Sequence, residues 1–236
     1  MIDVLYIKGT QSMNYDQELR YSLRSLEACV KDVGRVFITG ECPNFIKKTA
    51  VIYTPERDIG CPPVNHWWKV SQTIKKTDIS DDFVLMYDDI FFTKDTKLEN
   101  YPFYYRGMLT DSQAGSTIYR KSISNAKKWL TEHNYPYLDY ELHVPCVYNK
   151  RNFLKLDPIF DPIKRENPAM VVRSIYANMF VKDQPYRKDI KIRMSNECVD
   201  FILNGADCFS VSDWVFECNT YAWLSAHYTK KSRWEK

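Results

Sequence analysis

Residues 82–92 read DFVLMYDDIFF, a short apolar run that ends in two adjacent aspartates and then becomes apolar again. The run is rich in β-branched and aromatic residues and has polar clusters on both sides, at 77–81 and 93–95, a pattern that predicts a buried β-strand. Asp88 and Asp89 follow directly from its apolar core. Because a buried, unpaired carboxylate is unstable, such a pair needs a cation, neighbouring N–H donors or an arginine. The stretch therefore predicts a strand with a charge-compensated acidic pair at its end.

A divalent cation would supply the largest compensating charge for this acidic pair. Oxygen ligands suit Mg²⁺ or Mn²⁺, which in proteins usually also hold the phosphate oxygens of a bound substrate. Paired acids also cap turns and helices, and this purely structural alternative stays open. The sequence thus predicts a Mn²⁺ or Mg²⁺ site at the end of the strand.

The length of 236 residues allows one sizeable core, and we expect one domain because no long Gly, Pro or Ser tract divides the chain. No apolar run approaches the 18 or so residues of a membrane span, and the N-terminus resembles a strand without a basic leader region. The seven cysteines stand singly, which favours reduced thiols over a zinc site or a disulfide framework. We therefore expect a cytoplasmic protein. The net charge of +3 gives no strong electrostatic case for a nucleic-acid partner.

Strand and helix patterns alternate through the first ninety residues. Strands are predicted over 3–7, 35–40, 50–54 and 82–92, and helices over 19–30 and 66–77. The second half is less regular, with strand-like segments over 101–109, 140–148 and 207–213 and helical ones over 122–133, 149–156, 169–180 and 220–228. This order predicts an α/β fold, an open parallel or mixed sheet flanked by helices, in which ligands bind at the carboxyl ends of the strands.

The strand with its acidic pair resembles the GT-A fold of nucleotide-diphospho-sugar transferases, a Rossmann-like fold whose strand ends in Asp-x-Asp. Here that element reads Tyr87-Asp88-Asp89, so a tyrosine replaces the first acid. The resemblance implies that Asp89 is a direct metal ligand and that Asp88 is a ligand or a sugar contact. These folds often recruit a late metal ligand, for which His227 and Asp213 are the candidates.

A more specific resemblance is to the Stealth family of sugar-phosphate transferases, which includes capsule polysaccharide enzymes. It rests on residues 19–27 (LRYSLRSLE), 36–39 (VFIT), 43–45 (PNF), 85–92 (LMYDDIFF), 143–145 (HVP) and 152–154 (NFL). Stealth proteins generally open with a strand followed by a Trp-Val-Asp-Gly-like segment, whereas this chain has IKGT at 7–10 and is much shorter. The resemblance implies hexose-1-phosphate transfer to a polysaccharide, and the departure favours transfer of the sugar itself.

Either reaction must neutralise a phosphate-bearing leaving group, and basic side chains beside a metal ion do so. Arg20, Arg24 and Lys69 are the candidates for binding the donor. The two arginines are four residues apart and share a helix face, although Arg24 and Glu27 could also only brace that helix. Trp68 is a candidate for stacking on the nucleobase or the acceptor, with core packing as the alternative.

The attacking hydroxyl needs a base within hydrogen-bond reach. The acids and imidazole of the central region are the candidates, namely Asp111, Asp139, Glu141 and His143. Asp111 is the first choice because it lies in a loop after an aromatic segment, although an aspartate there could equally cap a turn. His143 could act as a base, a metal ligand or a buried core residue.

The sequence predicts a single GT-A-like domain over 1–236, with a nucleotide-sugar-binding half over 1–94 and an acceptor-binding half over 95–236. We expect a metal-dependent glycosyltransferase that uses a nucleotide-sugar donor and a hydroxyl acceptor. A glycan is the default acceptor, and a hydroxymethylated nucleic-acid base is the alternative because aromatic residues and the basic tail at 230–236 could hold a strand. Three rival functions stay open: a Stealth-like hexose-1-phosphate transferase, a metal-dependent nuclease or phosphatase, and a non-catalytic module that binds nucleotide sugars.

Overall fold

The computed structural model of the protein describes residues 1–9, 14–110, 116–161, 169–194, 199–203 and 205–236. Its strands are β1 (Ile2–Lys8), β2 (Val33–Gly40), β3 (Ile52–Thr54), β4 (Asp82–Tyr87), β5 (Ile90–Phe92), β6 (Cys146–Asn149), β7 (Lys191–Ile192) and β8 (Cys208–Val211). Its α-helices are α1 (Gln17–Cys29), α2 (Pro62–Lys76), α3 (Thr117–Glu132), α4 (Lys150–Leu154), α5 (Asp157–Phe160), α6 (Val172–Phe180), α7 (Val199–Leu203) and α8 (Tyr221–His227).

The larger sheet has the strand order β3-β2-β1-β4-β6. Its first four strands are parallel, and β6 runs antiparallel to β4. Leu5 in the central strand β1 lies opposite Phe37 of β2 and Leu85 of β4. The predicted mixed sheet flanked by helices is confirmed, and the carboxyl ends of β1 to β4 meet at one edge.

Alternating side chains of β1 bury the two faces of this sheet. Val4 and Tyr6 belong to the core on the side of α1, together with Leu23. Leu5 belongs to the core on the side of α2, together with Trp67. Every residue of β1 is buried, and residues 4–7 form a continuous apolar run between Asp3 and Lys8, as expected for a parallel strand that is covered on both faces.

The predicted single strand over 82–92 is in fact two strands. β4 ends at Tyr87 in the larger sheet, and β5 begins at Ile90 in a second sheet of order β5-β8-β7. Ser22 of α1 fixes the start of β5, because its hydroxyl donates a hydrogen bond of 2.6 Å to the Ile90 carbonyl. The two aspartates therefore occupy the turn where the chain passes from one sheet to the other.

The strand-like segments of the second half are less regular than their patterns predicted. Residues 101–109 carry only isolated bridges, and of 140–148 only the end belongs to strand β6. The reason is aromatic packing, since the Phe103 ring lies 5.5 Å from that of Tyr140, 5.6 Å from Tyr148 and 5.9 Å from Tyr176. These rings come from segments that are far apart in the chain, and they fill a core instead of pairing in a ladder.

The predicted helices are present, with shifted ends. α2 begins at Pro62 instead of residue 66, because proline is well suited to the first helical position. Over the described residues, no helix is long and apolar enough to cross a membrane. β6 from the predicted acceptor half pairs with β4 from the predicted donor half, so both halves share one sheet. Their separate binding roles stay a prediction.

Candidate active site

A cleft of about 450 Å³ opens at the carboxyl edge of the larger sheet. It is lined by the ends of β1 and β4, by the N-terminal part of α2, by residues 141 and 143, and by the first turn of α6. Its volume is typical of small-molecule sites, and in open α/β sheets ligands bind at this edge. The fold therefore places the cleft where the sequence predicted a ligand.

The ends of β1 and β2 approach each other closely beside the cleft. Gly40 has a φ of +112°, and a Cβ there would lie 2.0 Å from the Lys8 carbonyl oxygen, so only glycine fits. The Lys69 ammonium donates a hydrogen bond of 2.7 Å to that same carbonyl and forms an ion pair of 2.6 Å with Asp58. Lys69, a predicted donor-binding residue, thus lines the cleft as a fully buried cation.

Asp89 lies buried between two cationic or potentially cationic side chains. Its Oδ2 is 2.7 Å from His143 Nδ1 and 3.0 Å from Lys191 Nζ. Burial alone would raise the pKa of Asp89, but His143 and Lys191 outweigh it and hold that pKa well below its ordinary value. Asp89 is therefore an ionised carboxylate in the folded protein. Its Oδ1 is buried and has no hydrogen-bond partner in the described part of the chain.

Asp88 lines the cleft and pairs with a different lysine. Its Oδ2 lies 3.3 Å from Lys8 Nζ, which also pairs with Asp16 at 3.0 Å. Burial raises the pKa of Asp88 to about 6 against the opposing effect of Lys8, and repulsion from Asp89 adds to the rise. Asp88 is thus the less stable of the two anions.

A further acid, Glu18 of α1, adds negative charge to this region. Burial raises its pKa to about 7, and repulsion from Asp88, Asp213 and Asp89 adds to that rise. Asn14 donates a hydrogen bond of 2.6 Å to the Glu18 carboxylate. Bound positive charge would relieve the repulsion among these carboxylates.

The opposite end of the cleft is built from aromatic rings and from the first turn of α6. The Tyr87 hydroxyl lies 2.7 Å from His66 Nδ1, and the Tyr87 ring stacks on that of His143 at 5.5 Å. Glu141 Oε1 accepts hydrogen bonds from the Ser174 backbone N–H at 3.0 Å and from its hydroxyl at 2.9 Å. Burial raises the pKa of Glu141, and the positive charge of Arg173 opposes that rise. This end therefore combines a buried acid with a buried cation.

Five of the predicted site residues come together in this cleft or directly beside it. They are Lys69, Asp88, Asp89, Glu141 and His143. Trp68 packs at the edge of the core on the side of α2, with its ring 6.1 Å from that of Trp67. Asp111 lies outside the described residues. The other base candidate, Asp139, forms an ion pair of 2.9 Å with Arg106.

The two predicted arginines point elsewhere. Arg20 and Arg24 each form an ion pair of 2.8 Å with Glu235, near the C-terminus, and neither lines the cleft. The structure thus corrects the assignment of both arginines to the donor, because Glu235 already uses them to hold the C-terminal segment on α1.

His227 is the second correction. It lies on α8, where its ring stacks on Trp223 at 3.8 Å and its Nδ1 lies 2.8 Å from the Trp223 carbonyl oxygen. It lines a separate cavity together with Cys29 and Leu203. The structure does not bring it to Asp89. In the described part of the chain, no three His, Cys, Asp or Glu side chains gather as a metal-binding group.

Sequence reasoning missed three cations of the site, namely Lys8, Lys191 and Arg173. Lys8 directly follows the apolar run of β1, so the rule that ligands bind at strand ends could have found it. Lys191 and Arg173 have no comparable local signal. Lys191 reaches Asp89 across a separation of 102 residues.

Helices pack on both faces of the mixed sheet, and the cleft lies at the carboxyl edge of its parallel strands. The solved galactosyltransferase LgtC, in complex with donor and acceptor sugar analogs, matches with a TM-score of 0.51 at 10% sequence identity, and the match covers 98% of each chain. An active-site mutant of LgtC matches with a TM-score of 0.53 at 11% identity, again over 98% of each chain. At these identities the likeness shows the fold, and it confirms the predicted GT-A architecture.

No protein-family model matches the chain, and no curated protein matches it either. The finer resemblance to the Stealth family therefore stays a prediction.

Proposed function

We propose that the protein is a glycosyltransferase that moves a sugar from a nucleotide-sugar donor to an acceptor hydroxyl. The observation that carries the proposal is the pair Asp88 and Asp89, held at the carboxyl edge of a GT-A sheet among the lysines Lys8, Lys69 and Lys191. Such a mixture of fixed anions and cations suits a diphosphate with its counter-ion. LgtC, which shares the fold, has been solved with donor and acceptor sugar analogs.

The acidic pair fits a hard divalent cation. The buried Asp89 Oδ1 has no hydrogen-bond partner among the described residues. Burial raises the pKa values of Glu18 and Asp88 above their ordinary range, and repulsion among the carboxylates adds to that rise. We assign Asp89 and Asp88 as the protein ligands of Mn²⁺ or Mg²⁺, since such ions usually take only one or two carboxylates and leave other positions to phosphate and water. When bound, the ion supplies positive charge beside the leaving diphosphate.

Lys8 and Lys191 are our candidates for contact with the donor phosphates. Lys8 Nζ lies 3.3 Å from Asp88 Oδ2, and Lys191 Nζ lies 3.0 Å from Asp89 Oδ2. A bound phosphate would replace the carboxylate as the anionic partner of each lysine. Lys69 is fully held by Asp58 and the Lys8 carbonyl, so we assign it to fixing the end of β1.

Glu141 is our candidate for the base that accepts the proton of the acceptor hydroxyl. His143 is less suited, because its Nδ1 already contacts Asp89 and Lys191. Burial raises the pKa of Glu141, so its carboxylate is a stronger base than one in water. Its hydrogen bonds from Ser174 fix the carboxylate at the cleft. A glycan hydroxyl is the proposed acceptor.

The experiment is a product screen of the purified protein against a panel of nucleotide sugars, with and without Mn²⁺, and with glycan or hydroxymethylated DNA acceptors. We expect one donor to be consumed in a metal-dependent manner with release of a nucleoside diphosphate. A nucleoside monophosphate would instead indicate hexose-1-phosphate transfer, the Stealth-like reaction.

Asp89→Asn tests the site itself, with the exposed Asp95→Asn as the matched control. We expect Asp89→Asn to lose metal-dependent donor binding by about 100-fold, the scale of one lost electrostatic group in an active site, while Asp95→Asn keeps it. Unchanged Mn²⁺-dependent donor affinity in Asp89→Asn would contradict the metal assignment. No response of the wild type to any nucleotide sugar would favour the nuclease, the phosphatase or a binding module for another ligand.

A further inference from the structure

Arg173 is a buried cation, and two of its three guanidinium nitrogens have no hydrogen-bond partner among the described residues. It lies in the first turn of α6, lines the cleft and is only 2% exposed. Its Nε and Nη1 are buried and have no hydrogen-bond partner in the described part of the chain. A buried charge in this condition is strongly unfavourable unless something else pairs with it.

The guanidinium packs against an aromatic ring. Its central carbon lies 4.3 Å from the centre of the Tyr87 ring. A cation–π contact uses the face of the guanidinium and leaves the N–H groups, which lie in its plane, without acceptors. Glu141 is the acid of this end of the cleft, but its Oε1 accepts its hydrogen bonds from Ser174. Glu141 and Arg173 interact electrostatically, but among the described residues no hydrogen bond or ion pair joins them, so Nε and Nη1 of Arg173 have no acceptor there.

This position is distinct from the proposed diphosphate site. The carboxylates there are paired with Lys8 and Lys191, whereas Arg173 packs on Tyr87, whose ring stacks on His143. Since we place the diphosphate at the acidic pair and its lysines, Arg173 is left for a second acidic group of the substrate.

We propose that Arg173 binds a carboxylate or phosphate group of the sugar substrate, so that the enzyme prefers an acidic sugar over its neutral counterpart. The inference rests on the proposed function for the identity of the substrate as a sugar. Arginine suits this role because it stays charged and its planar N–H donors match the oxygens of both anions. The acidic group can belong to the transferred sugar or to the acceptor, and the same guanidinium chemistry serves both.

The test measures binding without turnover, so it does not depend on finding the natural donor. Affinities of glucuronate, glucose 6-phosphate and glucose are measured by calorimetry without metal, as are those of UDP-glucuronate and UDP-glucose with Mn²⁺. We expect at least one acidic sugar to bind wild type about tenfold more tightly than its neutral counterpart, the scale of one charged hydrogen bond. A preference among the UDP-sugars assigns the acid to the transferred sugar, and one among the free sugars assigns it to the acceptor.

Arg173→Gln should abolish this preference, because it weakens binding of the acidic sugar much more than binding of the neutral one. Arg173→Lys should retain part of it, and Arg151→Gln, which removes the same charge from an exposed position, should retain all of it. Equal binding of acidic and neutral sugars by wild type, or no binding of any acidic probe, would overturn the proposal. A preference that survives in Arg173→Gln would overturn it as well.

The proposed function can fail independently of this result. If no nucleotide sugar is turned over but acidic sugars still bind through Arg173, the anion site stands and the transferase assignment falls. If turnover occurs with neutral sugars alone and Arg173→Gln leaves it unchanged, the transferase assignment stands and the anion site falls.

Discussion

The buried charges at the two ends of the cleft differ in whether they have ion-pair partners in the protein. At one end, Asp88 pairs with Lys8 at 3.3 Å and Asp89 pairs with Lys191 at 3.0 Å. At the other end, the guanidinium of Arg173 is at least as deeply buried, yet its Nε and Nη1 have no partner among the described residues. Because folding tolerates buried charge only when it is compensated, the ends differ in degree: the acidic pair forms ion pairs with two lysines, whereas Arg173 interacts electrostatically with Glu141 but forms no ion pair with the described residues.

The largest effect that this comparison predicts is at Lys191. Lys191→Met removes the ammonium group from Asp89 and keeps a side chain of similar length. Since breaking a buried ion pair is costly and leaves His143, which is charged only when protonated, as the remaining partner of Asp89 Oδ2 among the described residues, we expect the free energy of unfolding to fall by about 4 kcal/mol. Urea denaturation at neutral pH measures this loss.

Lys97→Met is the control for Lys191→Met, because Lys97 is exposed and should change the free energy of unfolding by less than about 0.5 kcal/mol. Saturating Mn²⁺ should restore part of the stability of Lys191→Met if the ion takes the place of the ammonium beside Asp89. A variant as stable as wild type would show that Lys191 does not compensate Asp89, and the contrast between the two ends would disappear.

Glu141 sharpens the comparison because it is the acid at the Arg173 end of the cleft and is also the proposed base. Glu141→Gln keeps an oxygen that can accept the hydrogen bonds of Ser174, so the fold should be retained. We expect kcat to fall about 100-fold, or about 2.7 kcal/mol in activation free energy, with little change in KM for the donor. Steady-state kinetics measure both constants, and a kcat within threefold of wild type would exclude Glu141 as the base.

The end of the site that holds Asp88 and Asp89 was the more predictable from sequence. A local pattern predicts its acidic pair, because an apolar run ends at Asp88 and Asp89. Parallel strands then bring such ends to one edge of the sheet. The same reasoning predicted the helices α1 and α2 and the strands β1 to β3 with small shifts at their ends, but it joined β4 and β5 into one strand.

The remainder depends on contacts between residues that are far apart in the chain. Arg20 and Arg24 looked like phosphate ligands because nothing local shows that Glu235, more than 200 residues away, pairs with both. Arg173 lies in an apolar helical pattern, where only the tertiary fold shows that its side chain lines a cleft. Local periodicity predicts elements, whereas the partner of a charged side chain is set by packing.

The smallest expected effect on the free energy of unfolding is at Arg173, although substitution of a buried residue usually lowers that free energy clearly. Arg173→Met removes a charge that forms no ion pair with the described residues and keeps much of the apolar volume beside Tyr87. The variant loses the cation–π contact, worth about 1 to 2 kcal/mol when buried, but it no longer has to desolvate a guanidinium, and the two changes have opposite signs. We therefore expect the free energy of unfolding to stay within about 1 kcal/mol of wild type in urea denaturation without ligand. A loss of about 4 kcal/mol, as at Lys191, would mean that the fold already pairs this cation, and the reason to expect an anion at this end of the cleft would be gone.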